Sequence, residues 1–130
     1  MSKLTIFKSP VPVGMQVYEY GVEVAGVCRR FNAARKFVKR SKRRLYLECV
    51  ADSGQESRAI RVIGRSRGWL FERNKCIGYV PGDIANKLMH SGMEDKVTTR
   101  LQFISIDDKK SLEIRFDILG SKDDYRKYAS

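Results

Sequence analysis

The chain of 130 residues carries 26 Lys and Arg against 15 Asp and Glu, a formal net charge of +11, and 42% of it is hydrophobic. That size suits one domain with its own core, and the apolar content excludes a disordered chain. No run approaches the ~20 apolar residues of a membrane-spanning helix and residues 1–12 lack a secretory signal's apolar stretch, so a cytoplasmic protein with no membrane partner is expected.

Residues 1–16 predict an extended N-terminal arm, because Pro10 and Pro12 bracket Val11 and Gly14 follows. From Val17 to Val27 the alternation of Tyr18, Tyr20, Val22 and Val24 predicts a strand. The next segment is basic. Nine of the 16 positions from Arg29 to Arg44 are Lys or Arg, and none is acidic. Within it Phe31, Ala34, Phe37 and Val38 fall on one side at helical spacing, with Arg35, Lys36, Lys39 and Arg40 opposite. The pattern predicts a short amphipathic helix with a cationic outer face. Like charges at Arg35/Lys39 and Lys36/Arg40 disfavour an isolated helix by roughly a few tenths of a kcal/mol per pair, and a polyanion would remove that repulsion. A solvated face, or a helix for anionic lipid or a calmodulin-type partner, are the competing readings.

Leu45 to Val50 and Ala59 to Ile63 alternate as strands around a polar turn from Ala51 to Ser57. Gly64 to Gly68 reads as a basic turn, Trp69 to Phe71 as a continuation of the sheet, and Asn74-Lys75 as a tight connection to the short strand Cys76–Val80. Pro81 opens a helix, since its fixed φ suits a first turn. Ile84, Ala85, Leu88 and Met89 form that helix's apolar stripe and Gly92 closes it. Val97–Ile106 and Leu112–Leu119 predict a hairpin across Asp107–Ser111, and residues 121–130 a loosely held charged tail. Five to seven strands and two helices without βαβ order give an α+β domain over 17–120, mostly antiparallel, as a strongly curved sheet or small barrel.

Catalytic signals are sparse. Cys28, Cys49 and Cys76 are widely spaced and His90 is the one histidine, so no metal-site spacing arises and reduced thiols are expected. His90 sits at a helix end, where a C-terminal role suits it. Asp107/Asp108 and Asp123/Asp124 fall in predicted turn and tail, where Asp serves turn geometry. Arg65 and Arg67 between Gly64 and Gly68 match no phosphate loop. A binding module without catalytic residues, metal or cofactor is therefore expected rather than an enzyme.

Five segments occur in a telling order: Val24–Phe31 (VAGVCRRF), Leu45–Val50 (LYLECV), Arg58–Ile63 (RAIRVI), Ile77–Pro81 (IGYVP) and Asp83–Leu88 (DIANKL). Together, over about residues 20–118, they make the chain resemble the HIRAN domain. The resemblance implies a small OB-like, mostly antiparallel β-barrel with two α-helices that binds single-stranded DNA or DNA 3′ ends without catalysis. It implies that Gly26 lies on the first strand, that Arg29 and Arg30 hold phosphate, and that Phe31 stacks on a base or joins the core. Gln55 stands where end-binding members carry an aromatic stacker, Glu56 where an aspartate accepts the terminal hydroxyl's hydrogen bond, and Tyr79 where a histidine contacts phosphate. General single-strand binding is thus expected to outlast selectivity for the 3′ end.

Charge and resemblance together nominate Arg29, Arg30, Arg35, Lys36, Lys39, Arg40, Lys42, Arg43, Gln55, Glu56, Arg58 and Tyr79 as the nucleic-acid-binding set of a monomer. If the basic helix neutralises about five phosphates, log K should fall with log salt at a slope of roughly −3.5. The alternative function is an adaptor domain whose charge serves an acidic protein partner.

Overall fold

The computed structural model describes residues 3–27, 31–39, 41–51, 58–67, 71–106 and 111–130. In chain order the elements are β1 (Lys3–Ile6), β2 (Met15–Glu23), α1 (Phe31–Lys39), β3 (Ser41–Ala51), β4 (Arg58–Arg67), β5 (Glu72–Tyr79), α2 (Gly82–His90), β6 (Thr98–Ile106), β7 (Leu112–Ser121) and α3 (Tyr125–Ala129). The fold is α+β and every strand pairing is antiparallel. One sheet has the order β1-β6-β7-β2 and the other β3-β4-β5.

Burial follows from the strand patterns. β7 lies between β6 and β2, and Ile114, Phe116, Ile118 and Leu119 on it are buried. The second sheet contributes Leu45, Ile60, Val62 and Ile77 to the same core, and the three short helices add Ala34 and Phe37 from α1, Ala85 and Leu88 from α2 and Tyr128 from α3. Among the described residues the sheets are hydrogen-bonded to each other at two seams. At one, Ala25 and Tyr79 exchange two backbone hydrogen bonds of 2.8 Å. At the other, the Thr99 hydroxyl donates to the Leu45 carbonyl at 2.5 Å. Neither seam is a strand ladder, so among the described residues the sheets do not close into a hydrogen-bonded barrel.

Local signals explain most of the element ends. α2 stops in a Schellman turn: Met93 N–H bonds the Leu88 carbonyl at 2.9 Å and Gly92 N–H the Met89 carbonyl at 3.2 Å. Gly92 supplies the left-handed φ of 70° that this turn demands, and Met93 is buried beside it. Pro81 is the residue before the helix, with ψ of 142°, rather than its first helical position. β2 is irregular, with two register shifts against β7 between Val17 and Val22. Side chains repair that break: Gly21 N–H donates to Asp117 Oδ1 at 2.9 Å, and Arg115 Nη1 donates to the Gly21 carbonyl at 2.7 Å.

Several expectations are corrected. The segment read as an N-terminal arm contains β1, which pairs with β6 from Lys3↔Ile106 to Ile6↔Phe103. Of the segment read as a basic turn, Gly64 to Gly68, the residues Gly64 to Arg67 are the end of β4 and Gly68 lies outside the described residues, while Asn74 and Lys75 lie inside β5. Gly64 is glycine for packing: a Cβ there would lie 2.9 Å from Phe37 Cδ1, so α1 rests on β4 only because the side chain is missing. The charged tail is held, not loose. It forms a third helix, α3, whose Tyr128 is 1% exposed, stacks on Tyr18 at 5.2 Å and donates to Glu19 Oε1 at 2.6 Å.

Candidate nucleic-acid interface

The basic run of the sequence is divided between two elements. Arg35, Lys36 and Lys39 lie exposed on α1, as the helical spacing predicts. Arg43 and Arg44 lie on β3 instead, where side chains alternate between faces. Arg43 turns back toward the helix it follows: its Nη1 donates to the Val38 carbonyl at 2.7 Å and its guanidinium sits 5.1 Å from the centroid of Phe7. A cation thereby satisfies a carbonyl at the negative end of α1. Arg44 points to the outer face and is exposed.

Strand register adds what the sequence separates. Arg44 stands opposite Arg65 on β4, and Tyr46 opposite Ile63. Arg65 and Arg67 share a face at alternate positions, and Arg67 is opposite Glu72 on β5. The result is a cleft of about 460 Å³ lined by Arg43, Arg44, Tyr46, Arg65, Ser66, Arg67 and Glu72. Two guanidinium-bearing residues directly across a ladder repel each other. One carboxylate offsets part of that, because Glu72 accepts hydrogen bonds from Arg65 Nε and Nη2. The hydrogen bonds from Arg65 hold the Glu72 carboxyl below the usual carboxylate range. Tyr46 is 40% exposed, and its ring centroid lies 5.7 Å from the Arg65 guanidinium carbon. That guanidinium beside its hydroxyl lowers the phenol pKa from its ordinary value. An exposed ring flanked by cations is the pairing of stacking platform and backbone charge that single strands require.

A second cleft of about 400 Å³ shares Arg43, Arg44 and Tyr46 with the first, and is walled by Phe7, Pro10, Pro12, Thr98 and Leu101 among others.

The nominated residues fare unevenly. Arg43 lines both clefts, while Arg35, Lys36 and Lys39 stand on α1 outside them. Arg29, Arg30, Arg40, Gln55 and Glu56 lie outside the described residues, and so does the arrangement of the side chains of Lys42 and Arg58. Tyr79 ends β5 at the seam with Ala25, half-buried, and its ring lies near Gly26, where an added Cβ would sit 3.6 Å from Tyr79 Cδ2. The glycine and the tyrosine that the resemblance singles out are thus neighbours.

The cleft residues Arg44, Tyr46, Arg65, Arg67 and Glu72 are absent from the nominated set. Alternation along β3 and β4 gives each its face, but only the register brings the two strands' arginines together. Elsewhere the chemistry is sparse. Among the described residues no group of three His, Cys, Asp or Glu could hold a metal ion. Asp124 is engaged by the Ser121 hydroxyl and Lys127, and Cys49 and Cys76 form no disulfide. No helix among the described residues is long and apolar enough to cross a membrane. Comparison with family models, curated proteins and solved structures finds no match for this chain.

Proposed function

We propose that this chain is a non-catalytic nucleic-acid-binding module that favours single-stranded DNA, of the kind the HIRAN resemblance implies, with its two sheets as an open, OB-like arrangement rather than a closed barrel. The observation that carries the reading is the convergence of Arg43, Arg44, Arg65 and Arg67 around Tyr46, with Glu72 as the carboxylate in the cleft. Guanidinium groups match phosphate geometry, and releasing counterions from a polyanion supplies affinity. The exposed ring of Tyr46 gives a base a surface to stack on.

Fluorescence anisotropy with an oligothymidylate of about twelve nucleotides, within the site size of one such fold, tests this. With three or four phosphates neutralised, log K should fall with log salt at a slope of roughly −2 to −3. The R44E/R67E double variant should bind at least tenfold more weakly. Equal affinity for 3′-hydroxyl and 3′-phosphate strands would keep the module and discard end recognition. Tighter binding to polyglutamate than to the oligonucleotide would favour the adaptor reading, and no binding to any nucleic acid at low salt would overturn the proposal.

A further inference from the structure

The second cleft differs in character from the first. Its lining mixes Phe7, Pro10 and Pro12 with Thr98 and Arg100, and it shares Arg43 and Arg44 with the cationic cleft. At about 400 Å³ it lies within the roughly 300–1,000 Å³ of ordinary small-molecule sites. Its outer wall, the segment after β1, is fixed at three points. Phe7 N–H bonds the Gln102 carbonyl at 3.0 Å, Arg100 Nη1 bonds the Ser9 carbonyl at 3.2 Å, and Met15 N–H bonds the Pro12 carbonyl at 3.1 Å. Arg100 is itself held by Asp117, at 2.7 Å and 3.0 Å, and Asp117 is 1% exposed. Two prolines stiffen the wall and bring no N–H that an apolar occupant would leave unpaired. The pocket is therefore preformed, so an occupant is spared much of the ordering cost.

We infer that this pocket receives the base of one unpaired nucleotide whose neighbouring phosphates lie on Arg43 and Arg44; the inference rests on the nucleic-acid reading above and gives that reading its preference for unpaired strands. A cleft with both apolar and polar walls beside a guanidinium pair suits a base, apolar on its faces and polar at its edges, beside its own phosphates. A duplex keeps its bases stacked and paired, so it cannot place one here without unpairing it, and it would bind through the cationic cleft alone.

The test separates bases from phosphates. Wild-type protein is titrated with the oligothymidylate and with an abasic strand of equal length and charge, alongside Thr98→Trp, which fills the pocket from an exposed position at the start of β6. Wild type should bind the abasic strand at least tenfold more weakly, since base stacking on protein is worth roughly 1–3 kcal/mol per base. The variant should narrow that gap at least fivefold while holding the abasic strand within twofold of wild type. A wild-type gap under twofold, or one that persists unchanged in a folded T98W, overturns the pocket and leaves the cationic cleft standing. Failure of wild type to bind either strand overturns the nucleic-acid reading itself. If T98W does not fold, Pro10→Trp fills the same pocket from its opposite wall and is judged by the same gap.

Discussion

Glu72 accepts hydrogen bonds from Arg65 at Nε, 3.1 Å away, and at Nη2. That is the edge a guanidinium offers to a phosphate, so the protein's own carboxylate occupies a place in the cleft that a ligand would use. Exposed pairs of this kind contribute little to stability, and Glu72 is half-exposed. E72Q should therefore leave the melting temperature nearly unchanged, tighten oligothymidylate binding about three- to tenfold at low salt, and steepen the salt slope by roughly 0.7, the increment for one more phosphate on a single strand. Weaker binding by E72Q in the same anisotropy titration would remove Glu72 as a competitor.

Tyr46 is expected to act through its ring. Y46A should weaken single-strand binding by about tenfold, within the range of losing one stacked base, whereas Y46F should stay within about threefold. Because the hydrogen bond from the Arg65 guanidinium lowers the Tyr46 phenol below its ordinary value, an alkaline absorbance titration should show one phenol ionising early, and Y46F should abolish that step. The phenolate adds negative charge to the cleft, so affinity for the abasic strand should decline over the same pH range in wild type and not in Y46F.

Phe37 and Gly64 form a matched pair, with 2.9 Å between Cδ1 and the position a Cβ would take. G64A should cost about 1–3 kcal/mol in urea unfolding, as overpacked cores do, and F37L should recover part of the loss. At Gly78 the obstacle is backbone, since a Cβ would come within 2.4 Å of the Ala25 carbonyl oxygen. G78A should be the more damaging substitution, and no side-chain change should rescue it.

Tyr128 couples the C-terminal helix to pH. Burial and the bond to Glu19 raise its phenol pKa well above the ordinary value. The unfolded chain therefore loses this proton at lower pH than the folded one, and stability should be intact below about pH 10 and fall as pH rises beyond it. Y128F should lose roughly 1–2 kcal/mol at neutral pH, for one hydrogen bond to a charged group, while Glu19 keeps its ion pair with Lys87 at 4.0 Å. The variant should also show a shallower alkaline decline when urea midpoints are compared across pH.

Much of the fold was legible because its strands alternate. The hairpin of β6 and β7, the body of β3 and the first half of β4 follow the apolar pattern, and α2 follows Ile84, Ala85, Leu88 and Met89 to Gly92. β1 was hidden because its apolar residues point the wrong way: Leu4 and Ile6 are 60% and 62% exposed, so the pattern carries no buried face. α3 was hidden because Lys122, Asp123, Arg126 and Lys127 surround the two tyrosines that anchor it. Gly64 misled because glycine marks turns more often than ring contacts. The candidate site was legible as charge and not as geometry. The run from Arg29 to Arg44 showed that a cationic surface exists, but the pairing of Arg44 with Arg65 depends on register across 21 positions of chain, which no local pattern encodes.

The two sheets share one core, yet each seam between them rests on a few contacts: a pair of backbone bonds at Ala25 and Tyr79, and a hydroxyl donated by Thr99 to Leu45. Ladders open from their margins, so breathing should begin where no ladder exists. Deuterium should enter the amides of Ala25 and Tyr79 well before those of Ile114 and Phe116, and a strand bound across the mouth of the Thr99 seam should slow the opening at that end alone, as a clasp stiffens one hinge of a shell.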